Sequence, residues 1–115
     1  MAWPPRTGEL LPRAEQAWCE PSKWNGWILA AHGHGPEWEK VLHVTLEEVD
    51  TLWEAIAAAV LVEPVSRVVG RGRHGLNCRG DLQLSVGGRS AVIRTAWHYA
   101  DPGGSPRLVS AYPRL

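Results

Sequence analysis

"AVIRTAWHYA" (residues 91–100) alternates with period two. One parity carries Ala91, Ile93, Thr95, Trp97 and Tyr99, the other Val92, Arg94, Ala96, His98 and Ala100. Successive side chains of a strand point to opposite faces of its sheet, so this segment is predicted to be a strand with one face in the core. Each parity mixes apolar anchors with groups capable of chemistry. Hydrophobicity alone puts Ile93, Trp97 and Tyr99 inward and leaves Arg94 and His98 open.

The flanking sequence extends the sheet in both directions. "DPGGS" (101–105) turns the chain into a second strand, "PRLVSAYP" (106–113). Upstream, Gly87-Gly88 is a hairpin signal, preceded by the strands "LNCRGDLQLSV" (76–86) and "VSRVV" (65–69). Before Pro64 the period changes to that of a helix. "TLEEVDTLWEAIAAAVL" (45–61) opens with a Thr45/Glu48 capping box and acids in its first turn. Leu46, Val49, Leu52, Trp53, Ile56 and Val60 then trace one helical stripe. A short helix is expected from Pro21 to about Ala31, and another from Pro36 through "EWEKVLH". These segments predict a single α+β domain over 1–115, with a loose arm (1–10), a helical part (11–62) and a sheet (65–113). The N-terminal helices would pack on one face of a four-stranded antiparallel sheet.

A chain of 115 residues can bury a core without disulfides or metals. Its 44% hydrophobic and 21% charged composition excludes intrinsic disorder. Nothing approaches the roughly 18 apolar residues of a membrane helix, and "MAWPPRTGELLPRAE" lacks the plan of a signal peptide. A cytoplasmic protein with no membrane partner is therefore expected. Cys19 and Cys78 are too few for a disulfide framework and read as two buried thiols.

Zero net charge hides an asymmetry. Residues 1–63 hold four basic groups against ten acids; residues 64–115 hold eight Arg against Asp81 and Asp101. Arginine grips phosphate in bidentate fashion and stacks on bases, so the predicted sheet has the charge of a nucleic-acid partner's surface.

Two motifs are set aside on spacing. "GRGRHG" (70–75) matches the dinucleotide fingerprint, but a strand follows where that fingerprint needs a helix. An Arg-rich hairpin loop fits it better. Of His32, His34, His43, Cys19 and Cys78, only His32 and His34 show the paired short spacing of a zinc site, and the cysteines are isolated. No metal or other cofactor is expected. His32, His34, Lys40 and His43 remain as a cluster ahead of the Arg-rich sheet. Cleaving RNA without a metal requires a base for the ribose 2′-OH, an acid for the leaving 5′-oxygen and cations for the phosphorane. Histidine suits the proton transfers, and Lys or Arg the charge.

"LPRAE" (11–15), a His ahead of Lys40, "RTAW" (94–97) and "LVSAYP" (108–113) resemble an uncharacterised bacterial domain family that spans nearly the whole chain. The order of elements also resembles the barnase–EndoU–colicin D–RelE group of small ribonuclease toxins. "SAYP" (110–113) is similar to the closing [ST]-x-Y-P of EndoU-type nucleases, which implies that Ser110 and Tyr112 hold substrate. "KVLH" (40–43) with Thr95 and Trp97 is similar to the K-x-x-H and S-x-W pattern of colicin D-type tRNA nucleases, with Thr in place of Ser.

The resemblance implies a metal-independent endoribonuclease, a toxin module acting on tRNA or other RNA. Such a protein requires a cognate antitoxin or immunity partner. The expected catalytic residues are His34, Lys40, His43 and Thr95; Arg79, Arg94, Trp97, His98, Ser110 and Tyr112 are expected to bind substrate. On this basis Thr95 and Trp97 line the site, Val92, Ala96 and Ala100 face the helices, and Ile93 lies beneath. The alternative is a non-catalytic RNA-binding or protein-interaction module on the same sheet, its Arg and Trp residues binding and stacking while the histidines are incidental.

Overall fold

The computed structural model describes residues 4–64, 67–72 and 75–114, with residues 69–72 by backbone alone. Val65 and Ser66 of the predicted first strand, and Arg73 and His74 of the "GRGRHG" loop, lie outside the described residues, as do residues 1–3 of the arm.

The chain is α+β, with helices against one sheet. A 3-10 turn (Ala14–Gln16) leads into a two-residue strand, β1 (Trp18–Cys19), and the short helix α1 (Pro21–Lys23). Proline stands in the first turn of α1, where its missing N–H costs nothing. The predicted helix to Ala31 does not continue: α1 passes into a wide π turn (Trp24–Ile28) that buries Trp24 and Ile28 and leaves Trp27 exposed. Helix α2 covers Gly35–Leu42 and α3 covers Val49–Val60. The capping box forms as expected at Thr45 and Glu48, on a 3-10 turn that feeds α3.

Four longer strands follow: β2 (Arg67–Gly72), β3 (Gly75–Val86), β4 (Arg89–Tyr99) and β5 (Arg107–Pro113). Gly87 and Gly88, both at positive φ, make the tight β3–β4 hairpin. Among the described residues the sheet has five strands rather than four, in the order β1-β5-β4-β3-β2, and it is mixed because β1 joins β5 in parallel. Two residues carry no periodicity to read, which is why β1 escapes a sequence pattern.

The inner sheet face carries Leu76, Cys78, Leu82, Leu84 and Val86 of β3, Ile93, Trp97 and Tyr99 of β4, and Leu108 and Ala111 of β5. Against it pack Leu52, Ile56 and Val60 of α3, Trp38 and Leu42 of α2, and Trp24 and Ile28 of the π turn. The indole of Trp38 donates to the Ala111 carbonyl at 3.0 Å and ties α2 to β5. Tyr99 donates its hydroxyl proton to the Pro12 carbonyl.

This arrangement corrects the assignment of the β4 faces. Thr95 and Trp97 are both 0% exposed and belong to the core; Val92, Arg94, Ala96 and His98 are half-buried on the outer face, and Ala100 is exposed beyond the strand. Burying an indole removes about 150–250 Å² from water, roughly 4–6 kcal/mol at ~25 cal/mol/Å² as an upper bound. A hydrophobic gain of that size outweighs any placement of Trp97 as an exposed base platform. The Thr95 hydroxyl is satisfied inside: it donates to the Gly80 carbonyl at 2.6 Å and accepts from the Trp97 indole at 2.8 Å. Gly80 faces Thr95 in register, and a Cβ there would stand 3.4 Å from the Thr95 hydroxyl oxygen. The hydroxyl thus completes a packed polar pair and is not presented to a substrate.

Candidate active site on the outer face

Cross-strand register defines the outer face. Asp81, Arg94 and Tyr112 form one row across β3, β4 and β5. Arg67, Arg79, Ala96 and Ser110 form the next, from β2 to β5. Asn77, His98 and Arg107 form a third. Strict alternation from buried Leu108 would send Ser110 and Tyr112 inward. The register shift beside Ala96 and Trp97 inserts one residue in β5, so Ala111 and Pro113 turn in while Ser110 and Tyr112 turn out. A bulge is a known means of re-aiming side chains in this way.

Beyond the β5 edge, the π turn and the start of α2 reach round to this face. His34 stands at the N-cap position of α2, its carbonyl accepting from Trp38 N–H at 3.2 Å. Its imidazole stacks on Tyr112, with ring centroids 4.6 Å apart and planes at 22°. The indole of Trp27 meets the same imidazole edge-on at 5.1 Å and donates to the Ser110 hydroxyl at 3.3 Å. His34 Nδ1 lies 3.1 Å from the Glu37 carboxylate. An ionised carboxylate only accepts, so in the neutral ring Nδ1 carries the proton and Nε2 is the basic nitrogen.

Two cations share one carboxylate beside this cluster. Arg94 Nε donates to Asp81 at 3.3 Å and Arg114 Nη1 donates to the other oxygen at 3.2 Å, leaving one net positive charge. The hydrogen bond to Asp81 and its negative charge raise the Arg94 pKa above its already high value. Glu37, Arg94, Tyr112, Pro113 and Arg114 line a cleft of about 300 Å³. His34 borders it through Glu37 and Tyr112, each of which it touches.

Of the sequence-derived candidates, His34, Arg94, Ser110 and Tyr112 come together. Arg79 and His98 lie on the same face in other rows, His98 Nδ1 standing 2.9 Å from the Asn77 side-chain oxygen. Lys40 and His43 are exposed on α2 and at its left-handed C-cap, and no contact joins either to the cluster among the described residues. Thr95 and Trp97 lie on the opposite side of the sheet. Glu37, Trp27, Asp81 and Arg114 were not foreseen. The three-residue spacing of His34 and Glu37 at a helix start is a signal for their pairing, whereas Asp81 and Arg114 meet only through strand register. Among the described residues no group of three His, Cys, Asp or Glu gathers as a metal site. Burial pushes the Cys19 and Cys78 thiols up to about 11, so neither is a nucleophile near neutral pH. No helix among the described residues is long and apolar enough to cross a membrane.

The family model described as Domain of unknown function (DUF6883) matches residues 10–115, and the chain belongs to that family. No curated protein and no solved structure matches it.

Proposed function

We propose that this DUF6883 domain is a small endoribonuclease that works without a metal, a toxin-type module acting on tRNA or another RNA. The observation that carries the proposal is the His34–Glu37 pair, stacked on Tyr112 beside two arginines that share a single carboxylate. A scissile phosphate seated between Arg94 and Arg114 is held by charge-assisted hydrogen bonds. His34 Nε2 takes the proton of the ribose 2′-OH, with Glu37 fixing the ring tautomer. The 2′-oxygen bonds to phosphorus, the P–O5′ bond breaks, and the products are a cyclic 2′,3′-phosphate and a 5′-hydroxyl. Tyr112 gives its phenolic proton to the departing 5′-oxygen, and water then carries the proton held by His34 away and returns one to Tyr112. The arginines neutralise the phosphorane. Ser110 acts at one remove, as the hydrogen-bond acceptor that holds Trp27 against His34.

A nuclease active in a bacterial cytoplasm requires a neutralising partner, an antitoxin or immunity protein whose carboxylates would pair with Arg94 and Arg114. The test is incubation of the purified protein with total tRNA in EDTA, followed by end-group analysis. Fragments with cyclic 2′,3′-phosphate ends support the mechanism. Intact RNA, bound at high protein concentration, would instead favour a non-catalytic binding module.

A further inference from the structure

A groove of about 490 Å³, sharing no residue with the cleft, lies between β1, the π turn and the start of α3. Its walls are aromatic: Trp18 of β1, Trp24 of the π turn and Trp53 of α3. The Trp24 and Trp53 rings meet edge to face, centroids 6.2 Å apart and planes at 69°, and so form a corner. Trp18 and Leu46 also line the groove, yet they stay 43% and 44% exposed. Hydrophobicity favours covering an indole and a leucine that stand beside an apolar recess, and patches of this kind mark contact surfaces.

Among the described residues Asp50 is the one charged side chain in the lining, and no hydrogen bond or ion pair engages its carboxylate. Acids at a helix start also serve the helix dipole. That dipole amounts to about half a positive charge, against which Glu47, Glu48 and Asp50 set three negative ones. Glu54, one turn beyond Asp50 on the same helix, adds a fourth. Lys23 and Arg107 act on the Cys19 thiol, at the opposite wall. The α3 side of the groove is therefore anionic.

We infer that this groove docks an arginine side chain of a partner polypeptide, its guanidinium lying against the indoles and paired with Asp50. A guanidinium is planar and weakly hydrated, so it stacks on an aromatic face and offers parallel N–H donors to a carboxylate. The same acids repel the phosphates of a nucleic acid. A small free cation would leave Trp18 and Leu46 wet, whereas a polypeptide covers them with the residues that flank the arginine. No strand lies beyond β1 among the described residues, so an extended segment finds an open backbone edge along that wall.

The test follows indole and amide chemical shifts of the isotope-labelled protein during titration. The probe is an acetylated, amidated peptide of sequence Gly-Leu-Arg-Leu-Gly. Its counterpart carries citrulline in place of arginine, which keeps the shape and removes the charge. Ethylguanidinium serves as the small cation, and a 2′-O-methyl RNA, which has no 2′-OH to attack, as the polyanion. The arginine peptide should give saturable shifts at Trp18, Trp24 and Trp53 and leave His34 and Tyr112 unmoved. The citrulline peptide should bind several-fold more weakly, and Asp50→Asn and Trp18→Ala should each weaken the arginine peptide by a similar factor. Both replaced side chains are exposed, so the variants should keep the wild-type fold. Equal affinity for the two peptides, or wild-type affinity in Asp50→Asn, would overturn the cation. Tighter binding of ethylguanidinium than of the peptide would overturn the polypeptide occupant. RNA shifting these indoles, or a peptide that gives no saturable shift at millimolar concentration, would overturn the site altogether. The groove and the cleft share no residue, so neither result bears on RNA cleavage.

Discussion

On the inner face of β4, Ile93, Thr95, Trp97 and Tyr99 are fully buried, while on the outer face Arg94 and His98 keep part of their surface in water. Both faces contain polar groups, and the difference lies in how those groups are satisfied. Inside, each hydrogen bond closes on the protein itself: Trp97 to Thr95, Thr95 to Gly80, Tyr99 to Pro12. Outside, Arg94 and Arg114 divide one carboxylate between them and retain a net charge. A hydroxyl in a strand is therefore weak evidence of a site until its partner is known. Two arginines held at a single carboxylate on a partly exposed face are stronger evidence.

The largest expected effect tests the inner face. Trp97→Ala should cost roughly 3–5 kcal/mol of stability through the cavity it opens, whereas Arg94→Ala should stay within about 1 kcal/mol because its ion pair is partly exposed. Urea unfolding of the two variants checks this, and equal losses would erase the distinction between the faces.

Next in size is the outer-face chemistry. His34→Ala should lower RNA cleavage by roughly 10²-fold or more, the scale of one lost proton-transfer group. Glu37→Gln should reduce it less, since the basic nitrogen remains and only its orientation is loosened. Single-turnover rates on a cleavable oligonucleotide separate the two. A His34→Ala enzyme of full activity and normal fold would remove His34 from the mechanism.

Thr95→Val returns to the inner face with a nearly isosteric change. It orphans the Trp97 indole N–H and removes the donor to Gly80, at about 1–3 kcal/mol for each unsatisfied buried group. Thr95→Ser keeps the hydroxyl and should cost less. Cleavage in Thr95→Val, measured below its melting range, should stay near wild type. A lost activity with intact stability would return Thr95 to the site.

The smallest effect is a pH dependence of stability. Burial raises both thiols from an ordinary 9.0 to about 11, and raises Tyr99 as well. A group that holds its proton longer when folded contributes fully below its unfolded pKa and loses that contribution as pH rises through the folded value. The urea midpoint should therefore decline from about pH 9 toward 11, and thiol labelling of the native protein should be slow until that range. A flat midpoint with rapid labelling at neutral pH would show the thiols to be accessible.

Much of the fold was legible because period, caps and turns are local. The Leu52–Ile56–Val60 part of the α3 stripe, the Thr45 capping box and the Gly87-Gly88 hairpin formed where the residues predicted, whereas Leu46 stays exposed on the 3-10 turn. The β4 faces followed hydrophobicity, and the contrary assignment failed because it rested on a motif whose hydroxyl bonds to Gly80, 15 residues away. The candidate site was legible only in pieces. His34, Arg94, Ser110 and Tyr112 were each singled out, but their meeting depends on the β5 bulge that turns Tyr112 outward and on the π turn that brings Trp27 and His34 round the sheet edge. Neither leaves a periodic trace in the sequence.

The division of β4 into a structural inner face and a functional outer one is tested most directly by amide chemical-shift mapping. The isotope-labelled protein is titrated with the uncleavable 2′-O-methyl RNA. Perturbations should concentrate at Trp27, His34, Arg94 and Tyr112, fading toward α3. Saturable shifts centred instead on the α3 side, around Leu46, Val49 and Trp53, with the outer sheet face silent, would contradict the account.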